Sequence, residues 1–263
     1  EVARGTDPNV TFLSQEGPFT LTTDCQRFCL CDMSVDVGSI VNKQFMVLAY
    51  GLTGGVTNGI HQLANSRLQL HNVTLTKDMP LVVDAGATNV LLDTVSAVSV
   101  VNGAFTVEAG AEAAFSLSQD LTLNDVFKLD GSVETSGAAS LVMTHALEGN
   151  GTLAGAHIRF SGANSQWRMK ADNTGFIEKV NADGVTDAVF LQGLRAVTIV
   201  YTGSLEEARS FDVAPAGSLS ESDAVNIALT VVDAAGDAVS GCRLAVEEGR
   251  LCFHVGDFSF PRT

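Results

Sequence analysis

From Arg67 to Lys170 the chain runs as short apolar-alternating segments, each broken after six to ten residues by Gly, Asn or Asp. Leu68-Gln-Leu-His-Asn-Val-Thr-Leu75 alternates strictly, and Leu81-Val-Val-Asp84 and Val90-Leu-Leu-Asp93 follow. Period two places successive side chains on opposite faces of a strand, and no helical spacing fits the same stretch. Apolar residues make up 46% of the 263 and charged residues 17%, so a continuous core can form and disorder is disfavoured. The chain reads as all-β.

The segments also echo one another. Ala104-Phe-Thr-Val-Glu-Ala-Gly110 returns as Ala114-Phe-Ser-Leu-Ser-Gln-Asp120, and Leu121-Thr-Leu-Asn-Asp125 as Phe127-Lys-Leu-Asp-Gly131. Strands this short cannot each bury a face alone. Coiled into rungs of about 20 residues, each would pair with its equivalents above and below around one apolar interior. The expected core is therefore a parallel β-helix, or solenoid, with an antiparallel terminal segment. The competing architecture is a β-sandwich or jelly roll with hairpin connections.

Three regions follow. Residues 1–66 form an opening β and loop segment suited to a cap or a subunit contact, with a loop over 51–59 and a helical turn over 59–66. Residues 67–171 form the solenoid core. Residues 172–263 form a C-terminal β region whose meander turns at Ala235-Gly236-Asp237 and Glu248-Gly249.

The tandem strands of residues 68–170 resemble the parallel β-helix passenger and adhesin-type proteins of bacterial surfaces, and phage tail proteins built on similar coils. The resemblance implies an elongated extracellular protein used in attachment, surface layers or fibres. Carbohydrate-cleaving enzymes share this fold, so fold alone assigns no function.

The formal charge of −15 repels nucleic acid phosphate and anionic lipid, so neither is an expected partner. No apolar run reaches the ~18 residues of a membrane-spanning helix, and no membrane insertion is expected. The start at Glu1 fits a removed export signal or a trimmed chain. Export gains support if Cys242 and Cys252 close a disulfide across the hairpin between them. Cys25, Cys29 and Cys31 suggest a local disulfide with one thiol left over, and a metal site there lacks a fourth ligand.

Candidate chemistry is sparse. No nucleophile elbow, phosphate loop, zinc helix motif or dinucleotide fingerprint occurs. His71 falls among alternating strand residues and reads as a solvent-facing rung position. Asp84 with Asp93, or Asp125 with Asp130, could pair as glycosidase carboxylates, but Asp ending a strand is also the ordinary turn former. No catalytic residue is assigned, and the chain reads as a non-enzyme. Trp167, Phe160 and Phe176 are the available aromatic platforms for sugar rings. Asn181, Asp183 and Asp187 offer oxygen ligands around a glycine, a weak calcium site without the closing Glu of an EF-hand; no other cofactor is indicated. Phe260-Pro261-Arg262-Thr263 is similar to the Pro-x-Thr part of sortase sorting signals.

The expected function is a secreted, non-enzymatic structural or adhesive subunit of a surface filament, layer or fibre. Its partners would be copies of itself, other surface proteins or glycans. A glycan-binding or glycan-cleaving module and a virion-associated subunit are the alternatives.

Overall fold

The computed structural model describes residues 11–12, 19–149, 151–155, 157–172, 175–178, 193–206, 208–214 and 226–256. Every regular element among them is a strand. The expected helical turn over 59–66 is instead the strand Ile60–Gln62 followed by a tight turn. Period two decides it: Ile60 and Gln62 point inward and His61 outward.

The strands wind as a three-faced parallel solenoid. The first face stacks Thr20–Thr23, Ser39–Asn42, Ile60–Gln62, Leu81–Val83, Phe105–Val107, Phe127–Leu129, Ala146–Glu148, Gln166–Asp172, Ala196–Tyr201 and Ala228–Val232, each parallel to the next. The second face stacks seven parallel strands from Phe28–Cys31 to Thr152–Gly155. The third face comes in two blocks: Thr11–Phe12, Ser34–Val37 and Thr53–Val56, then five strands from Thr74–Leu75 to Ile158–Phe160. The chain visits the three faces in turn, giving about seven turns. The sandwich alternative is excluded by this parallel pairing.

The coil starts well before the regular rhythm of the sequence. Ladders run unbroken through residue 66, since Phe45–Ala49 pairs with Arg67–His71 and Ile60–Gln62 with Leu81–Val83. The expected loop over 51–59 contains the third-face strand Thr53–Val56. Its glycines carry no side-chain pattern, so the sequence reads as a loop where the backbone pairs. Thr11–Phe12 and Thr20–Thr23 are two strands that join different faces.

What holds the coil is a set of inward columns. On the first face one column runs Leu21, Ile40, Ile60, Leu81, Phe105, Phe127, Leu147, Trp167, Val197 and Leu229. Phe105 packs against Phe127 and against Phe115 of the second face, with ring centroids 5.5 Å apart in both pairs. Each buried aliphatic or aromatic side chain contributes about 1.5–3 kcal/mol. A single rung could not supply enough such burial, and stacking supplies it.

The neighbouring column is polar at one end. Thr23, Asn42 and Gln62 are buried in register before Val83 and Val107 take over. Asn42 Nδ2 donates to Gln62 Oε1 at 2.7 Å and to the Arg67 carbonyl at 3.0 Å, and Asn42 Oδ1 accepts from Gln44 N–H. The ladder satisfies the Asn42 amide and Gln62 Oε1, while Gln62 Nε2 is buried without a partner among the described residues.

A small antiparallel sheet of Arg209–Ala214, Arg250–Val255 and Cys242–Glu247 stands at the C-terminal end. Its Leu251, Phe253 and Val255 belong to the same core as the coil, and Phe253 meets Tyr201 at 6.1 Å. On its other side His254 is buried to 3% exposure, with Nε2 2.9 Å from Glu247 Oε1. Burial first, then the Arg243 charge, holds the imidazole below its ordinary pKa of 6.5, partly opposed by Glu247. The unfolded chain therefore binds the proton more readily. This contribution to stability is intact above the unfolded value and is lost as pH falls through it, levelling off below the folded value. Melting temperature should fall as pH drops through about 6.5, and His254→Gln should shrink that fall. Equal falls in both proteins would contradict this role.

Candidate functional site

The solenoid sorts the sequence's candidate residues by face. Trp167 is fully buried at 0% exposure in the inward column, and Phe160 is buried beside it at 6.4 Å between ring centroids. Neither is a platform for a sugar ring. Alternation is the reason: the strand holds Gln166 and Arg168 outward, so Trp167 points inward. The side chain of Phe176 lies outside the described residues, as do Asn181, Asp183, Asp187 and the Pro261–Thr263 end. Among the described residues no three His, Cys, Asp or Glu converge as a metal site requires. No described helix is long and apolar enough to cross a membrane.

All five cysteines are free. Cys242 and Cys252 share a hairpin, but its register pairs Cys242 with Val255 and Cys252 with Ala245. The offset of three positions along the strands separates them by about 10 Å and turns them to opposite faces, beyond disulfide reach. Cys29 and Cys31 lie on the outward side of one second-face strand, and Cys25 is exposed before it. Burial raises both strand thiols, and the neighbouring Asp32 raises Cys31 further. Alkylation after unfolding, without reductant, should add a group to each of the five cysteines in an intact-mass spectrum. In the folded chain Cys25 should label and buried Cys252 should not. A mass that leaves two cysteines unlabelled would contradict the free-thiol state.

The carboxylate pairs also separate. Asp84 follows a first-face strand and lies 2.6 Å from His61 Nδ1, whereas Asp93 faces outward on the second face and pairs with Arg67. Arg67 in turn stacks over Phe45 at 5.0 Å, and Arg27 approaches the same ring at 5.6 Å. Asp125 and Asp130 flank one strand; Asp125 caps Val126 N–H, and Asp130 meets Lys128 Nζ at 3.1 Å. These are turn and ladder contacts, with no paired carboxyls facing a shared cleft.

Two surface features emerge from the stacking. At the corner between the second and third faces, Tyr50 is 43% exposed. Its hydroxyl lies 3.2 Å from His71 Nε2, and Ser96 Oγ lies 2.7 Å from the same nitrogen. Ser96 holds φ at +72°, strained for a non-glycine residue. His71 Nδ1 has no orienting partner among the described residues, so no acyl-transfer triad is assembled there.

The second feature lies where the coil turns from the third face into the first. Here a cleft of about 260 Å³ is lined by His145, Asn164, Ser165, Gln166 and Arg195, with two alanines. Backbone bonds fix the stack: Gln166 N–H donates to the His145 carbonyl at 3.2 Å and Arg195 N–H to the Ser165 carbonyl at 3.1 Å. Ser165 Oγ is buried and turned to the Gly162 carbonyl at 2.9 Å. The sequence gives no hint of this cluster, because its members come together only through the rung register. Searches with the sequence and the structure found no matching protein-family model, curated protein or solved structure.

Proposed function

We propose that this chain is a secreted, non-enzymatic structural or adhesive protein, a subunit of a surface or extracellular assembly. The observation that carries the reading is the first face: ten parallel strands in unbroken register, backed by one continuous core. Cooperative ladders over a packed interior make such a coil stiff, and stiffness suits a spacer or a display surface. An outward column, Thr22, Val41, His61, Val82, Thr106, Lys128, Glu148, Arg168, Thr198 and Thr230, runs the length of that face.

Among the described residues this sheet ends at Thr20–Thr23 on one side and Ala228–Val232 on the other. Open strand edges accept strands of neighbouring chains, which gives copies of itself as the first partner. The extracellular location comes with this role alone. Free cysteines lend it no support. Light scattering after size-exclusion chromatography, with negative-stain imaging over a wide concentration range, tests the reading. Ordered multimers or filaments are expected; a strict monomer at every concentration that also binds no cell surface would overturn it.

A further inference from the structure

The cleft at His145, Ser165 and Arg195 holds one cation, the Arg195 guanidinium, on an acidic protein. The chain carries 30 acidic and 15 basic residues, yet among the described residues no Asp or Glu lines this cleft. His145 and Arg195 both line it. The Arg195 guanidinium has no ion-pair partner among the described residues. His145 Nδ1 is buried and meets no hydrogen-bond partner among them either. That nitrogen is closed to solvent, so another part of the ring lines the cleft. Gln166 Oε1 already accepts Arg168 Nε at 3.3 Å, so the Gln166 amide is turned to offer its N–H groups. Asn164 adds a second exposed amide at the rim.

We propose that this cleft binds a small hydroxylated carboxylate, of the size of one sugar acid. A guanidinium presents paired N–H donors whose spacing matches the two oxygens of a carboxylate. The two amides suit ring hydroxyls. At about 260 Å³ the cleft is at the small end of ligand sites, which excludes an oligosaccharide from entering whole. The ordered frame around it is pre-formed: the backbone ladder through His145, Ser165 and Arg195 holds the rim without ligand. This role does not depend on whether the coil assembles.

The test uses the full chain and the matched probes glucuronate and glucose, which differ by a carboxylate in place of a CH₂OH group, with inorganic phosphate as a third arm. Amide NMR titration should give saturable shifts at Ser165, Gln166 and Ala196 with glucuronate and none with glucose. Arg195→Gln removes an exposed side chain and should weaken glucuronate about tenfold or more while the melting temperature holds. Asn164→Ala provides a second, milder variant with weakened binding. No saturable response to glucuronate, unchanged affinity in Arg195→Gln, or phosphate binding as tightly as glucuronate would each overturn the proposal.

Discussion

Replacing Phe127 with alanine should lower the unfolding free energy by about 3–5 kcal/mol, measured by chemical denaturation. Phe127 is fully buried at 0% exposure, between Phe105 of the preceding rung and Leu147 of the next. Truncation leaves a void that three rungs share, and a stacked column can close it only by shifting whole strands. Because each rung is stabilised by its neighbours, the loss is felt on both sides of residue 127. The same change at outward Thr106, one position from Phe105, should cost about 0.5 kcal/mol or less. Equal losses at the two positions would contradict the inward column. Trp167→Ala belongs with Phe127→Ala: it should cost stability through lost packing, whatever it does to ligands.

The second large effect is a backbone one. Gly137 holds φ at +101°, and a Cβ there would sit 2.1 Å from the Leu117 carbonyl oxygen. That oxygen belongs to the ladder of the rung below, so neither side can retreat without breaking hydrogen bonds. Gly137→Ala should cost about 3 kcal/mol or more, combining left-handed strain with overlap. Gly236 is the control. Its φ is +92° but no atom lies within 4 Å of the added Cβ. Gly236→Ala should therefore cost only the conformational part, about 1–2 kcal/mol. If both variants melt alike, close stacking of rungs at Gly137 is wrong.

Much of the coil could be read from alternation alone. Leu68, Leu70, Leu81, Val83, Phe115 and Leu117 fall inward where period two puts them, and the echoes of Phe105 at Phe115 and of Leu121 at Phe127 reflect strands on successive faces rather than hairpins. The first rungs were hidden because their inward positions include Thr23, Asn42 and Gln62, which look like surface residues in a sequence. Thr53–Val56 was hidden because glycine marks both loops and close-packed strands.

The site candidates failed for a different reason. Residue type suggested aromatic platforms and a disulfide, whereas position decides both. Trp167 sits between outward Gln166 and Arg168, so the same alternation that found the core also buries it. The cysteine pair depended on hairpin register, which a two-residue turn at Glu248-Gly249 sets three positions out of step. The cleft could not be foreseen, because His145, Ser165 and Arg195 meet only after steps of unequal length along the chain.

Pulsed electron spin resonance on labels at Thr22, Lys128 and Thr230 tests the stacked coil most directly. These positions lie in one outward column, with Lys128 five rungs from Thr22 and four from Thr230. At a strand spacing of about 4.8 Å the account predicts backbone distances near ~24, ~19 and ~43 Å, the longest equal to the sum of the other two. A Thr22 to Thr230 distance well below that sum, as in a chain folded back on itself, would contradict it.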